Sequence, residues 1–200
     1  NSFPTRRSSD LLPVLLSQVA ISLVFLLILH PSKGPVNSFL VSVGLAPQPW
    51  LASPKTALGT IIAVNIWQSF GYYMVLFLSG LQTINPDLYE AATIDGTNAW
   101  QKLRHVTIPM VSPITFFCMI LAIINAFRVF DQVFVMTGGQ LGGGPAGSTT
   151  VLVFEIYRNA FQYFQMGYAA TEASILLVLV LVVTIVQYHG QHKWVNYDQY

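Results

Sequence analysis

The stretch Glu90–Pro109, EAATIDGTNAWQKLRHVTIP, is the one long polar interruption between strongly apolar segments of this 200-residue chain, and its reading decides the fold. Upstream, Asn85 is placed to cap a helix whose first residue is Pro86, where a missing N–H costs nothing, and Gly96 is free to take the left-handed conformation that ends it. The spacing predicts a helix of about ten residues. Asn98, followed three residues later by Gln101, reads as a capping box for a second short helix through Lys102, Arg104 and His105, expected to stop before Pro109. Two short helices meeting at one glycine, each tied closely to an apolar run, describe a docking element on the inner face of a membrane protein.

The composition points the same way. With 54% hydrophobic and 8% charged residues and a mean hydropathy of +0.57, the chain is far from the roughly one quarter charged content of soluble domains. Its formal net charge of +1 leaves no basic surplus of the kind nucleic acid binding needs. The single cysteine, Cys118, excludes an intramolecular disulfide framework and a cysteine-based zinc cluster. His189 and His192 read as a solvated tail, not as a metal site.

Working outward, Asn1–Asp10 is a polar leader carrying Arg6 and Arg7, read as non-native or disordered, and no function is placed on it. Residues 11–29 form an uncharged run about long enough to cross a ~30 Å hydrocarbon core. From His30 to Thr56 prolines recur with no lasting period, which reads as a surface loop. Residues 57–81 make a second span and 113–136 a third. Thr137–Thr150 is a glycine-rich turn, Tyr157–Tyr168 an amphipathic helix lying on the membrane or against a partner, and residues 172–188 the fourth span. The expected fold is all-α and membrane-integral, with the docking stretch at 85–109. With Arg6 and Arg7 counted, the positive-inside rule places that stretch and both ends in the cytoplasm.

Polar groups in hydrocarbon are costly and mark helix contacts or a water-filled passage. Asn65, Gln68, Ser69 and Tyr72 fall on one face of the second span, and Asn125 with Arg128 on one face of the third. Two readings stand for each: interhelical hydrogen bonding, with Asp131 three residues beyond Arg128 as its ion-pair partner, or the lining of a solute path suited to a hydroxyl-rich molecule. The loop GGQLGGGPAGST at Gly138–Thr149 has no lysine after its glycines and is not a nucleotide-binding P-loop, so any ATPase must be another chain. A DNA-reading helix-turn-helix is excluded by the balance of Lys102, Arg104 and His105 against Asp87, Glu90 and Asp95.

The residues then resemble a family. The docking stretch is similar to the EAA loop of inner-membrane permeases of bacterial ABC importers: Glu90-Ala91-Ala92, three residues, Gly96, nine residues, Val106, one residue, then Ile108-Pro109, with both late aliphatics exchanged conservatively. Further marks of the carbohydrate-uptake branch, which includes maltose-type and glycerol-phosphate-type permeases, are LPVLLS at Leu12–Ser17, WLASP at Trp50–Pro54, GLQTINPDLYEAA at Gly80–Ala92, FRVFDQVFVMTGG at Phe127–Gly139 and the region Phe161–Ala169. Gln140–Gly142 departs from the family's shorter turn.

The resemblance implies a six-span core of which four spans are visible here, 11–200 being a partial permease domain. It implies that Glu90, Ala91, Ala92, Asp95, Gly96 and Pro109 belong to a coupling loop seated in a separate ATPase, which carries the ATP and magnesium. No cofactor is expected on this chain, and it is not expected to be an enzyme. Among maltose-type permeases the sugar is held at positions that correspond to Asn65, Ser69, Tyr72, Leu121, Asn125 and Arg128. The implied partners are ATPase subunits, a second permease, an extracytoplasmic solute-binding protein, a sugar-like solute and membrane lipid, in the bacterial inner membrane. Two other classes remain at this point: a membrane receptor or scaffold recruiting a cytoplasmic partner, and an ion-coupled secondary transporter using Asp131.

Overall fold

The computed structural model describes residues 16–138 and 142–194, with side chains through Gln191. The polar leader, the first residues of the first apolar run, and Gln140 with Leu141 of the atypical turn lie outside them. Among the described residues the regular structure is helical, with no strand. In chain order the helices are α1 (Gln18–Ile28), α2 (Pro35–Ser42), α3 (Ala57–Gln82), α4 (Pro86–Ile94) and α5 (Ala99–Lys102). Then follow α6 (Ile108–Phe127), α7 (Asp131–Met136), α8 (Leu152–Tyr157) and α9 (Met166–Trp194).

Three stretches are long and apolar enough to cross a membrane: Ala57–Gln82, Ala99–Phe127 and Met166–Gln191. At 1.5 Å per residue each is about 39–44 Å long, more than the ~30 Å core. Ile175, Leu177, Val178 and Val182 of α9 are more than half exposed, as suits helices whose solvent is lipid. The first apolar run is described as a helix of eleven residues, α1.

The structure corrects several expected boundaries. The second short helix does not stop before Pro109. α5 passes through a π-turn at Leu103–Thr107 directly into α6, so Pro109 and Pro113 sit within one continuous rod. A π-turn hydrogen-bonds one residue further back, and the widened turn accommodates the proline ring that would otherwise strike a preceding carbonyl. The span expected over 113–136 ends at Phe127, after which the chain breaks and restarts as α7. Arg128 therefore lies outside any helix, the three-residue helical spacing to Asp131 does not exist, and no ion pair joins them; Glu155–Arg158 is the pair found among the described residues. The loop of residues 30–56 contains α2, started by Pro35 behind Gly34. The helix expected at 157–168 is α8 followed by a π-turn at Arg158–Gln162; Phe164 turns left-handed at φ 54°, and Tyr168 already belongs to α9.

The chain packs as two units, residues 1–71 with 127–177 and residues 72–126 with 178–200. In the first, Ile21, Ile61, Val64, Val133, Met136 and Phe154 form the buried core, with Phe130 stacked on Phe134 at 5.4 Å. The Glu155 carboxylate, hydrogen-bonded to Arg158 at 2.6 Å, holds that guanidinium above the ordinary arginine range. In the second unit, α3 and α6 come close together at Gly80, where a Cβ would stand 2.8 Å from Cγ1 of Ile114. The missing side chain is what allows that approach.

Candidate functional site

The docking stretch is built by its own caps. The Asn85 side chain accepts a hydrogen bond from the Asp87 amide at 3.0 Å, and Pro86 opens α4. At the other end Gly96 takes φ 74°, and the Gly96 and Thr97 amides donate to the Thr93 and Ala92 carbonyls, both at 3.1 Å, which is the Schellman arrangement. A Cβ at Gly96 would meet nothing within 4 Å, so only the backbone conformation demands glycine there. Asn98 and Gln101 form the expected capping box, with bonds of 2.9 and 2.8 Å.

Two side-chain bonds then tie α4 back to the following rod. The Tyr89 and Thr107 hydroxyls meet at 3.0 Å, and Nζ of Lys102 donates to Oγ1 of Thr93 at 2.7 Å. Ala92 is the buried residue of α4, while Glu90, Ala91 and Asp95 are exposed. Pro109 is half-buried in α6. Around the exposed carboxylates stand Ile94, 87% exposed, and Trp100, 67% exposed. Apolar anchors beside charges on a preorganised surface suit a protein partner. Sequence reasoning left out Ile94 and Trp100, although two large apolar residues in an otherwise polar stretch were the available signal.

The polar row resolves into two kinds of residue. Nδ2 of Asn65 donates to Oε1 of Gln132 at 2.9 Å, and Nε2 of Gln132 donates to Oε1 of Gln68 at 2.8 Å. Gln132 is 1% exposed. For Asn65 and Gln68 the structure thus supplies the interhelical bonding that was one of the two readings, through Gln132, a residue the sequence reading gave no role. The Ser69 hydroxyl donates to the Asn65 carbonyl at 2.7 Å, a local bond along α3. Tyr72 and Asn125 are exposed, Leu121 is half-buried and Arg128 is exposed. Tyr72 packs edge-on against Tyr73 at 5.5 Å. Asn65, Ser69 and Arg128 belong to the first unit, and Tyr72, Leu121 and Asn125 to the second. No group of three or more metal-ligating side chains occurs among the described residues.

Comparison with known proteins places this architecture. The chain matches the family described as "Binding-protein-dependent transport system inner membrane component" over residues 10–194. It is 34% identical over 186 residues to the probable ABC transporter permease protein YurN of Bacillus subtilis, covering 92% of this chain and 62% of that protein. It is 36% identical to the lactose transport system permease protein LacF of Rhizobium radiobacter, covering 94% and 63%. A permease-bearing crystal structure of a bacterial ABC transporter for the acidic polysaccharide alginate superposes with a TM-score of 0.83 at 25% identity, over 96% of this chain and 68% of that one. The chain thus spans about six-tenths of the length of these curated relatives. With its membrane-crossing helices and a match over nearly all of its length, the chain belongs to the family of inner-membrane components of binding-protein-dependent transport systems.

Proposed function

We propose that this chain is the membrane-embedded permease part of an ATP-driven importer for a sugar or sugar-like solute, and that residues 85–109 couple it to a separate ATPase. The observation that carries the reading is the capped helix pair: α4 ends in a fixed bend at Gly96, and the next helix runs on as one rod into the bilayer. Glu90 and Asp95 offer exposed carboxylates to basic groups of the partner, and Ala91 and Ala92 allow its close approach. A push on α4 reaches α6 through the Tyr89–Thr107 and Lys102–Thr93 bonds without a flexible joint. Closure of the paired ATPases then becomes movement of α3 and α6, and the solute cavity alternates between the two sides.

The names of relatives support the substrate class and the partners. One is a lactose system component and another a trehalose/maltose system component of Thermococcus litoralis, 38% identical over 154 residues. The alginate transporter is known in complex with a periplasmic protein carrying an alginate pentasaccharide. We assign this chain the same plan: two ATPase subunits holding ATP and magnesium, a second permease and an outer solute-binding protein. Within that plan α1 is the described part of a fourth span of the permease core. Tyr72 and Asn125, exposed and without the hydrogen bonds that hold Asn65, are assigned to the solute path, and the family resemblance extends that assignment to Leu121 and Arg128.

The test is vesicle uptake by the reconstituted full-length transporter. Glu90→Lys and Gly96→Asp should leave ATP hydrolysis running while uptake falls at least tenfold. If both variants transport normally, the coupling assignment is wrong. Tyr72→Ala and Asn125→Ala should raise the KM for solute with the complex intact, and an unchanged KM removes them from the path.

A further inference from the structure

An open groove of about 560 Å³ lies between α1 and the first half of α3. Phe25 of α1 and Leu29 just after it wall one side and Trp67 of α3 the other, with Trp50 at the end. Its floor is made by Gly59 and Ala63, one turn apart. A Cβ built on Gly59 meets nothing within 4 Å, so the space above that glycine is empty.

The polar groups at the groove are already committed to the protein. The Thr56 hydroxyl donates to the Pro49 carbonyl at 3.0 Å, and the Thr60 hydroxyl to the Thr56 and Trp50 carbonyls at 2.9 and 3.1 Å. Nε1 of Trp50 donates to Oδ1 of Asn37 at 3.0 Å. Along the helices a hydroxylated solute would find no side-chain donor left to satisfy it, so the part of the occupant that lies there is apolar.

Size narrows the class. From Thr56 to Trp67 the helix rises about 16 Å, close to half of a ~30 Å hydrocarbon core. The lined stretch therefore has about the length of one leaflet, which suits a lipid acyl chain lying along it.

Charge narrows it again. Between Leu16 and Pro86 the sequence carries Lys33 and Lys55 and not one carboxylate. Both lysines are exposed; Lys33 follows the groove residue Leu29 by four positions and Lys55 immediately precedes Thr56. Cations at the membrane boundary, beside a tryptophan, attract anionic headgroups. We infer that this groove is a binding site for an anionic phospholipid, with one acyl chain along Gly59 and Ala63 and the headgroup phosphate held by Lys33 and Lys55.

The full-length chain in its assembled transporter is placed in phosphatidylcholine nanodiscs, and phosphatidylglycerol with brominated tails is titrated in. The Trp67 contribution to fluorescence is the difference between wild type and Trp67→Phe. Quenching of that contribution should saturate at a mole fraction about tenfold lower than with brominated phosphatidylcholine. The Lys33→Gln/Lys55→Gln double variant should erase the headgroup preference, and Gly59→Leu, which fills the floor, should remove the quenching for both lipids. Ala63→Leu serves the same purpose if Gly59→Leu does not assemble. Equal quenching by the two lipids, quenching unaffected by the filled floor, or no Trp67 quenching at all because another polypeptide covers the groove would each overturn the proposal.

Discussion

Gln132 separates structural from functional polarity at the level of single residues. It is fully buried and bridges Asn65 and Gln68, so removing its amide strands two others in an apolar setting. An unpaired buried amide costs about 1–3 kcal/mol, and polar bonds between membrane helices average nearer ~0.6 kcal/mol. Gln132→Leu is therefore expected to lose about 1–2 kcal/mol, read as a lower unfolding midpoint of the purified protein. Asn125→Ala, at an exposed position, should leave that midpoint in place. Helical spacing showed that Asn65, Gln68, Ser69 and Tyr72 share a face, because a period is a local property. It did not show what the face meets: Gln132 lies 64 residues beyond Gln68, and a polar residue that bonds to a neighbour looks the same in a sequence as one that waits for solute. The caps around Gly96 were legible for the opposite reason. Each is a bargain between residues no more than five positions apart.

Among the elements, the spanning helices were readable and their ends were not. Residues 57–81 came out as Ala57–Gln82 because an unbroken apolar run leaves few alternatives. Pro109 misled, since a proline ends most soluble helices, yet here the π-turn upstream carries the rod through it. The break after Phe127 carried no glycine or proline to announce it. α2 was missed because eight residues are too few for a period to show against a proline-rich background. What holds one rod against another is equally hidden, and Gly80 is the example. Its place in α3 looks like any helical glycine, but an added methyl would stand 2.8 Å from Cγ1 and 3.1 Å from Cβ of Ile114. Overpacking of this kind costs about 1–3 kcal/mol. Gly80→Ala should lower the unfolding midpoint by that amount, and Ile114→Ala should restore part of the loss in the double variant, giving a coupling of at least about 0.5 kcal/mol. If the two losses simply add, the helices do not meet at this point.

For the whole molecule the decisive property is which face of the membrane each loop occupies. α3 is about 39 Å long, so its two ends must emerge on opposite sides of a ~30 Å core. The region before it carries Lys33 and Lys55, the stretch after it Lys102 and Arg104, a balance that leaves positive charge nearly mute as a guide. The coupling proposed for residues 85–109 needs the second of these regions in the cytoplasm, where an ATPase can reach Glu90. Cys118, buried at 4% exposure, is a silent background for labelling by a membrane-impermeant maleimide. Asp95→Cys, on the exposed bend, should react in inside-out vesicles and resist in right-side-out ones. Leu45→Cys, 57% exposed beyond α2, should show the reverse pattern. On the proposed function, prior addition of the ATPase subunit should further protect Asp95→Cys in inside-out vesicles, since the bend would then be seated. Reaction of Asp95→Cys from the outside would place the helix pair beyond the reach of any cytoplasmic ATPase and remove the physical basis for force transfer through α4 into the bilayer.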